Sequence, residues 1–176
     1  MTTDGGGWTL VYSYRFLNFA NFIENSNAVS PIPTWPLDPD PKLSWTVRST
    51  TIPLHETSYS AMDFALWKEI GAEFLVKPNI THWVSCRPGT GDLVNWKAGT
   101  LSCKVVKNVA TKCLNYAPTD LVLPCCGPAL FRNGDYFIYF EGATSTSYPV
   151  HDPCGKRSVV NHLTNISPPG GAVYIR

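Results

Sequence analysis

Residues 1–176 predict one α+β domain of short, mostly antiparallel strands, joined by long loops and carrying one or two short helices. Three observations lead there. Runs of aromatic and β-branched residues recur between Gly, Pro and Asn, as strands between turns do. One stretch spaces Met62, Leu66 and Ile70 on a single helical face. Fifteen prolines, 13 glycines and six cysteines describe loops that need covalent bracing. A chain of 176 residues falls within the roughly 100–200 residues of one domain, so one core is expected. With 44% hydrophobic and 15% charged residues, it has enough apolar surface to fold and too little charge to be disordered.

The elements follow in order. Asp4-Gly5-Gly6-Gly7 supplies a tight turn, and residues 8–14, Trp8 to Tyr14, read as a core strand. Prolines at 31, 33, 36, 39, 41 and 53 forbid helix and interior strand from Ser30 to Pro53, except a short strand near 43–47. That segment reads as a surface loop packed by Trp35 and Trp45. Ser60 and Asp63 have capping-box spacing, which predicts a helix from Ser60 that ends at Gly71. Strands are predicted at 73–77, 82–86, 102–109, 135–141 and 171–175. The last of these is apolar and terminal, and is expected inside the sheet.

Charge and cysteine usage narrow the function. Fourteen basic residues oppose thirteen acidic ones without a block of either sign, which argues against nucleic acid or an anionic membrane as partner. No apolar run approaches the eighteen or so residues of a membrane span. Met1 opens directly into Thr2-Thr3-Asp4-Gly5, which predicts a processed or trimmed N-terminus rather than a signal peptide. Cys86, Cys103, Cys113, Cys125, Cys126 and Cys154 form no CxxC pair and no zinc spacing with His, so disulfides are expected, in any of fifteen pairings. Neighbours in extended backbone point to opposite faces, so Cys125 and Cys126 are expected to reach different partners. Sequons at Asn79-Ile80-Thr81 and Asn165-Ile166-Ser167 agree with a secreted, extracellular protein.

The run Met1-Thr2-Thr3-Asp4-Gly5-Gly6-Gly7-Trp8-Thr9-Leu10-Val11 resembles the signature opening of the fibrinogen-like C-terminal domain, shared with the intelectins. The resemblance covers these eleven residues. It implies an N-terminally shortened fibrinogen-like module that recognises glycans or acetylated groups outside the cell, with calcium as the associated cofactor.

Candidate sites are few. Asn133-Gly134-Asp135, with Glu141 and Asp152, is the densest oxygen supply for calcium, and Asn133, Asp135 and Asp152 form the candidate metal set. Asn-Gly-Asp between Phe131 and Tyr136 reads better as a hairpin turn. The loop from Tyr148 to Gly155 brings Tyr148, His151 and Asp152 together as a candidate sugar site, with Trp35 as the exposed aromatic platform. Trp67, Trp83 and Trp96 are expected in the core. Arg87 to Asp92 lacks phosphate-loop spacing and reads as a hairpin turn. His55, His82, His151 and His162 are scattered and no catalytic motif is present, so no enzyme is expected. The leading expectation is a lectin-type module binding glycans or glycoproteins. The second is an adhesive subunit that self-associates into an extracellular fibre or matrix.

Overall fold

The structure, a computed structural model, describes residues 2–17, 27–38, 40–145, 151–155 and 159–176. Its strands are β1 (Thr9–Phe16), β2 (Val29–Ser30), β3 (Phe74–Pro78), β4 (Trp83–Pro88), β5 (Gly99–Lys107), β6 (Asp120–Val122), β7 (Ala129–Arg132), β8 (Asp135–Tyr139) and β9 (Gly170–Ile175). The only α-helix among the described residues is α1 (Trp67–Ile70), four residues long. The α+β expectation is therefore corrected. The fold is mostly β, one antiparallel sheet in the order β2-β1-β9-β3-β4-β5-β6-β7-β8, curled into a half-barrel.

The predicted helix shortens for a local reason. Ser60 is taken by β1: Ser13 N donates to Ser60 O and Met62 N donates to Val11 O, so residues 60–62 extend the strand edge. The cap is Asp63, whose carboxylate accepts from Ala65 N at 3.1 Å and from Thr34 Oγ1 at 2.9 Å. A 3-10 turn, Phe64–Leu66, then feeds α1, and the helix stops at Gly71 as the sequence predicts.

The start of the chain clasps its last strand. Gly5, Gly6 and Gly7 all have positive φ, at 85°, 80° and 77°, a path that side chains resist. The loop so formed offers Asp4 O and Gly6 O to Arg176 Nη1 at 2.6 and 2.9 Å. The Arg176 guanidinium also lies 4.2 Å over the ring of Trp8. As expected, β9 is interior to the sheet, flanked by β1 and β3.

Alternation divides the strands between two faces. Tyr12, Tyr14, Phe16, Phe74, Val76, Val173 and Ile175 join the main core, whereas Trp8, Leu75, Ala172 and Tyr174 pack on the outer face. A bulge between Leu10 and Tyr12 turns Val11 and Tyr12 both inward. Inside lies an aromatic box in which Tyr12, Trp35, Trp67 and Phe140 meet at centroid distances of 5.7 to 6.5 Å. Each such ring contributes roughly 1.5–3 kcal/mol on burial. Tyr12 Oη donates to Pro31 O at 2.7 Å, and burial holds the phenols of Tyr12 and Tyr14 well above the ordinary tyrosine pKa.

Trp35 is 1% exposed, which overturns its reading as an exposed platform. The prolines around it fix an irregular path, tied at Ile32 to Val47 and Ser49, along which the Trp35 indole is turned inward. Trp96 stacks on it at 6.2 Å. Trp67 is buried as expected, while Trp83 is half-buried between Lys77 and Lys107, at 4.3 and 4.4 Å.

The two edges of the sheet come back together. Val29 N, on β2, donates to Glu141 O just beyond β8 at 2.9 Å, and Thr46 N donates to Gly142 O at 3.0 Å. The short strand predicted near 43–47 reduces to one isolated bridge, Trp45 to Ala143, at this seam.

All six cysteines pair, as Cys86–Cys103, Cys113–Cys154 and Cys125–Cys126. The first two close 17 and 41 residues, worth about 3 and about 4 kcal/mol in chain entropy. The third corrects the expectation of separate partners. Cys125 and Cys126 sit in the irregular link between β6 and β7, not in a strand, so the alternation that would part their side chains does not apply.

Candidate functional site

A pocket of about 590 Å³ lies beside the Cys113–Cys154 disulfide and is lined by Cys113, Tyr116, Asp135, Cys154, Val159 and Asn161. Three segments build it. The link after β5 brings Cys113 and Tyr116, the start of β8 brings Asp135, and the loop before β9 brings the rest.

Each segment is fixed by polar groups. Val109 N donates to His82 Nδ1 at 3.1 Å, so the ring proton sits on Nε2 and is donated to Lys112 O at 3.0 Å. A buried histidine thus anchors the link at both ends of one turn. Asn108 and Asn115 bond each other twice, at 3.0 and 3.1 Å, and hold Asn115 at a φ of 59°. Tyr116 lies under the Arg132 guanidinium at 4.2 Å and against Phe137 at 5.3 Å, while Arg132 Nη1 donates to Ala117 O.

The third segment is organised by Asp152. Its Oδ1 accepts from Cys154 N at 2.8 Å and Asn161 Nδ2 at 3.3 Å, and its Oδ2 accepts from Asn161 N at 3.0 Å. Asp152 N in turn donates to Phe137 O at 2.9 Å, docking the loop on β8. Alternation then sends the neighbouring His151 inward, where its Nε2 meets Tyr14 Oη at 2.7 Å among Phe16 and Phe140. His151 is fully buried.

The predicted site residues therefore separate. Asp135 lines the pocket, and Asp152 stands one layer behind it as the brace for Asn161. His151 belongs to the core, and Trp35 to the aromatic box. Tyr148 lies outside the described residues. Asn133 and Gly134, with φ of 51° and 91°, form the two-residue turn between β7 and β8 that the sequence favours. Of the calcium set, Asp152 accepts N–H groups on both oxygens, from Cys154 and Asn161. Among the described residues no group of three His, Cys, Asp or Glu converges on one point. Glu141 is buried at the seam, where its Oε1 accepts from Ala143 N.

No family model, curated protein or solved structure matches the chain. The fibrinogen-like resemblance thus stands on its eleven residues alone.

Both sequons are exposed at their asparagines. Asn79 is engaged in the fold: its Nδ2 donates to Pro168 O at 2.8 Å and its Oδ1 accepts from Gly170 N at 2.9 Å. Sequence reasoning missed Tyr116 and Asn161. The positive φ of Cys113 and Asn115 that shapes the link carries no sequence mark stronger than the Asn itself.

Proposed function

We propose that the chain is an extracellular recognition module that binds a small neutral saccharide in the pocket beside Cys113–Cys154. The observation that carries this is the lining: an aromatic ring and an aliphatic side chain, Tyr116 and Val159, face a carboxylate and an amide, Asp135 and Asn161. A sugar ring has one apolar face and a rim of hydroxyls, so such a mixed wall suits it. A wall pinned by a disulfide and by Asp152 loses little freedom on binding. Three disulfides and the absence of a membrane-crossing helix among the described residues fit an extracellular setting.

The test is an array of neutral oligosaccharides followed by calorimetry on any glycan bound. Tyr116→Ala and Asp135→Ala should each weaken binding at least about tenfold, roughly 1.4 kcal/mol, with an unchanged circular dichroism spectrum. EDTA should leave binding unaltered, since no calcium enters this reading. Failure to bind any glycan sinks it.

A second reading, self-association into an extracellular assembly, is favoured by one feature. Val47, Ile52, Leu54 and Leu66 are 70%, 55%, 80% and 50% exposed between residues 47 and 66. Light scattering across a concentration series separates the two readings, because only the second expects mass to rise.

A further inference from the structure

We propose that the Cys125–Cys126 disulfide is a thiol-exchange site, and that opening it loosens the seam that closes the half-barrel. This stands independently of the ligand pocket.

Susceptibility comes first. A disulfide resists reduction partly because re-forming it is helped by the folded chain, and it stabilises the fold more, though only logarithmically, the longer the loop it closes. Cys86–Cys103 and Cys113–Cys154 close 17 and 41 residues, but Cys125–Cys126 joins neighbours and closes none. Its opening therefore forfeits the least. Access points the same way: Cys125 is the only exposed cysteine of the six, whereas Cys126 is 1% exposed. An incoming thiolate reaches Cys125 Sγ, and Cys126 is the leaving sulfur.

Position supplies the consequence. Cys126 O accepts from Gly142 N at 2.8 Å, and Pro128 O accepts from Phe140 N at 3.1 Å. Between them, Gly127 has a φ of 152°, and a Cβ there would stand 1.8 Å from Phe140 O. Residues 126–128 are thus pressed onto residues 140–142. Those same residues carry the seam, since Glu141 O accepts from Val29 N and Gly142 O accepts from Thr46 N. Cys126 also packs with Ala129, Tyr139 and Ala143, against which the half-buried Leu43 and Trp45 rest. The closed ring holds both sulfurs on one side of the chain. Opening the ring frees the backbone torsions between Cys125 and Cys126, so the Cys126 carbonyl is no longer held toward Gly142.

The chemistry balances with a monothiol of low mass as reductant. The first thiolate attacks Cys125 Sγ, the Sγ–Sγ bond breaks, and the Cys126 thiolate takes up a proton. A second thiol attacks the mixed disulfide at the reductant's sulfur, releasing Cys125 as a thiol and the reductant as its own disulfide. Two thiols are oxidised and one protein disulfide is reduced.

The full oxidised chain is titrated with reduced glutathione against glutathione disulfide, quenched, labelled with N-ethylmaleimide and mapped by mass spectrometry. Cys125 and Cys126 should label at a glutathione ratio at least about tenfold below that which labels the other four cysteines. At that stage amide exchange at Val29, Phe140 and Gly142 should accelerate at least about tenfold. Labelling of all six together, or of Cys113 and Cys154 first, overturns the exchange site. Unchanged exchange at the three amides overturns the link to the seam. The Cys125→Ser/Cys126→Ser double variant should show the faster exchange without reductant, and slow exchange there counts equally against it.

Discussion

Trp35 places a whole indole in the interior while its Nε1 finds no acceptor among the described residues. Two opposed terms follow. Burial of the ring is worth several kcal/mol, whereas an unmade buried hydrogen bond costs about 1–3 kcal/mol. Trp35→Ala gives up the first and should lower stability by roughly 3–5 kcal/mol. Trp35→Phe keeps most of the ring and removes the stranded donor, so it should stay within roughly 1 kcal/mol of the native protein. Chemical denaturation of the two variants decides the matter, and equal losses would mean that the indole N–H is not the liability described. The same residue shows the limit of sequence reasoning. Amid prolines, Trp35 reads as surface, because proline marks irregular chain but does not say which side of that chain faces in.

The turn before β1 and the end of β9 act as one unit through Asp4. Burial alone would raise the Asp4 pKa, but hydrogen bonds from Lys104 and Ser85 and the charges of Lys104 and Arg176 outweigh it, so the carboxyl titrates below its ordinary value of 3.8. Ser85 Oγ donates to Asp4 Oδ2 at 2.8 Å, and Arg176 Nη2 lies 3.7 Å from the same oxygen. A carboxyl whose folded pKa is lowered adds stability above its unfolded pKa, and this is lost as pH falls through the folded value. Asp4→Asn should therefore cost about 1 kcal/mol at pH 7, discounted for the exposure of Lys104, and its stability should fall less steeply below pH 4. Thermal melts from pH 7 to pH 2 read this directly; parallel acid limbs for the two proteins would exclude the role. Asn keeps the tolerance for the φ of 49° at this position, so the comparison isolates charge. This unit was half legible in the sequence. Asp-Gly-Gly-Gly announced a turn and Trp8 a strand, but nothing announced Arg176 as the partner, because that contact spans 172 positions.

At the scale of the whole molecule, the sequence located most strands and placed β9 inside the sheet, since apolar alternation is a local signal. The balance of α and β was misjudged because residues 60–62 have a helical spacing and an open strand edge beside them, and the edge won. The pocket was legible only at Asp135 and in the loop around Cys154. Its remaining walls depend on which cysteine meets Cys113, a pairing that spacing does not encode. That dependence gives a test of what each long-range disulfide does. Cys113→Ala/Cys154→Ala and Cys86→Ala/Cys103→Ala should cost about 4 and about 3 kcal/mol, hence roughly 6–16 °C in melting temperature for a chain of this size. Similar losses should have different local effects. The Cys86–Cys103 bridge spans paired residues of β4 and β5, whose ladder persists without it. Cys113–Cys154 instead joins two irregular segments, so its removal should speed amide exchange at Asp152 and Cys154 while leaving Val84 and Val105 protected. Equal exchange in the two variants would show that Asp152 and the docking on Phe137, not the covalent bond, hold the wall of the pocket.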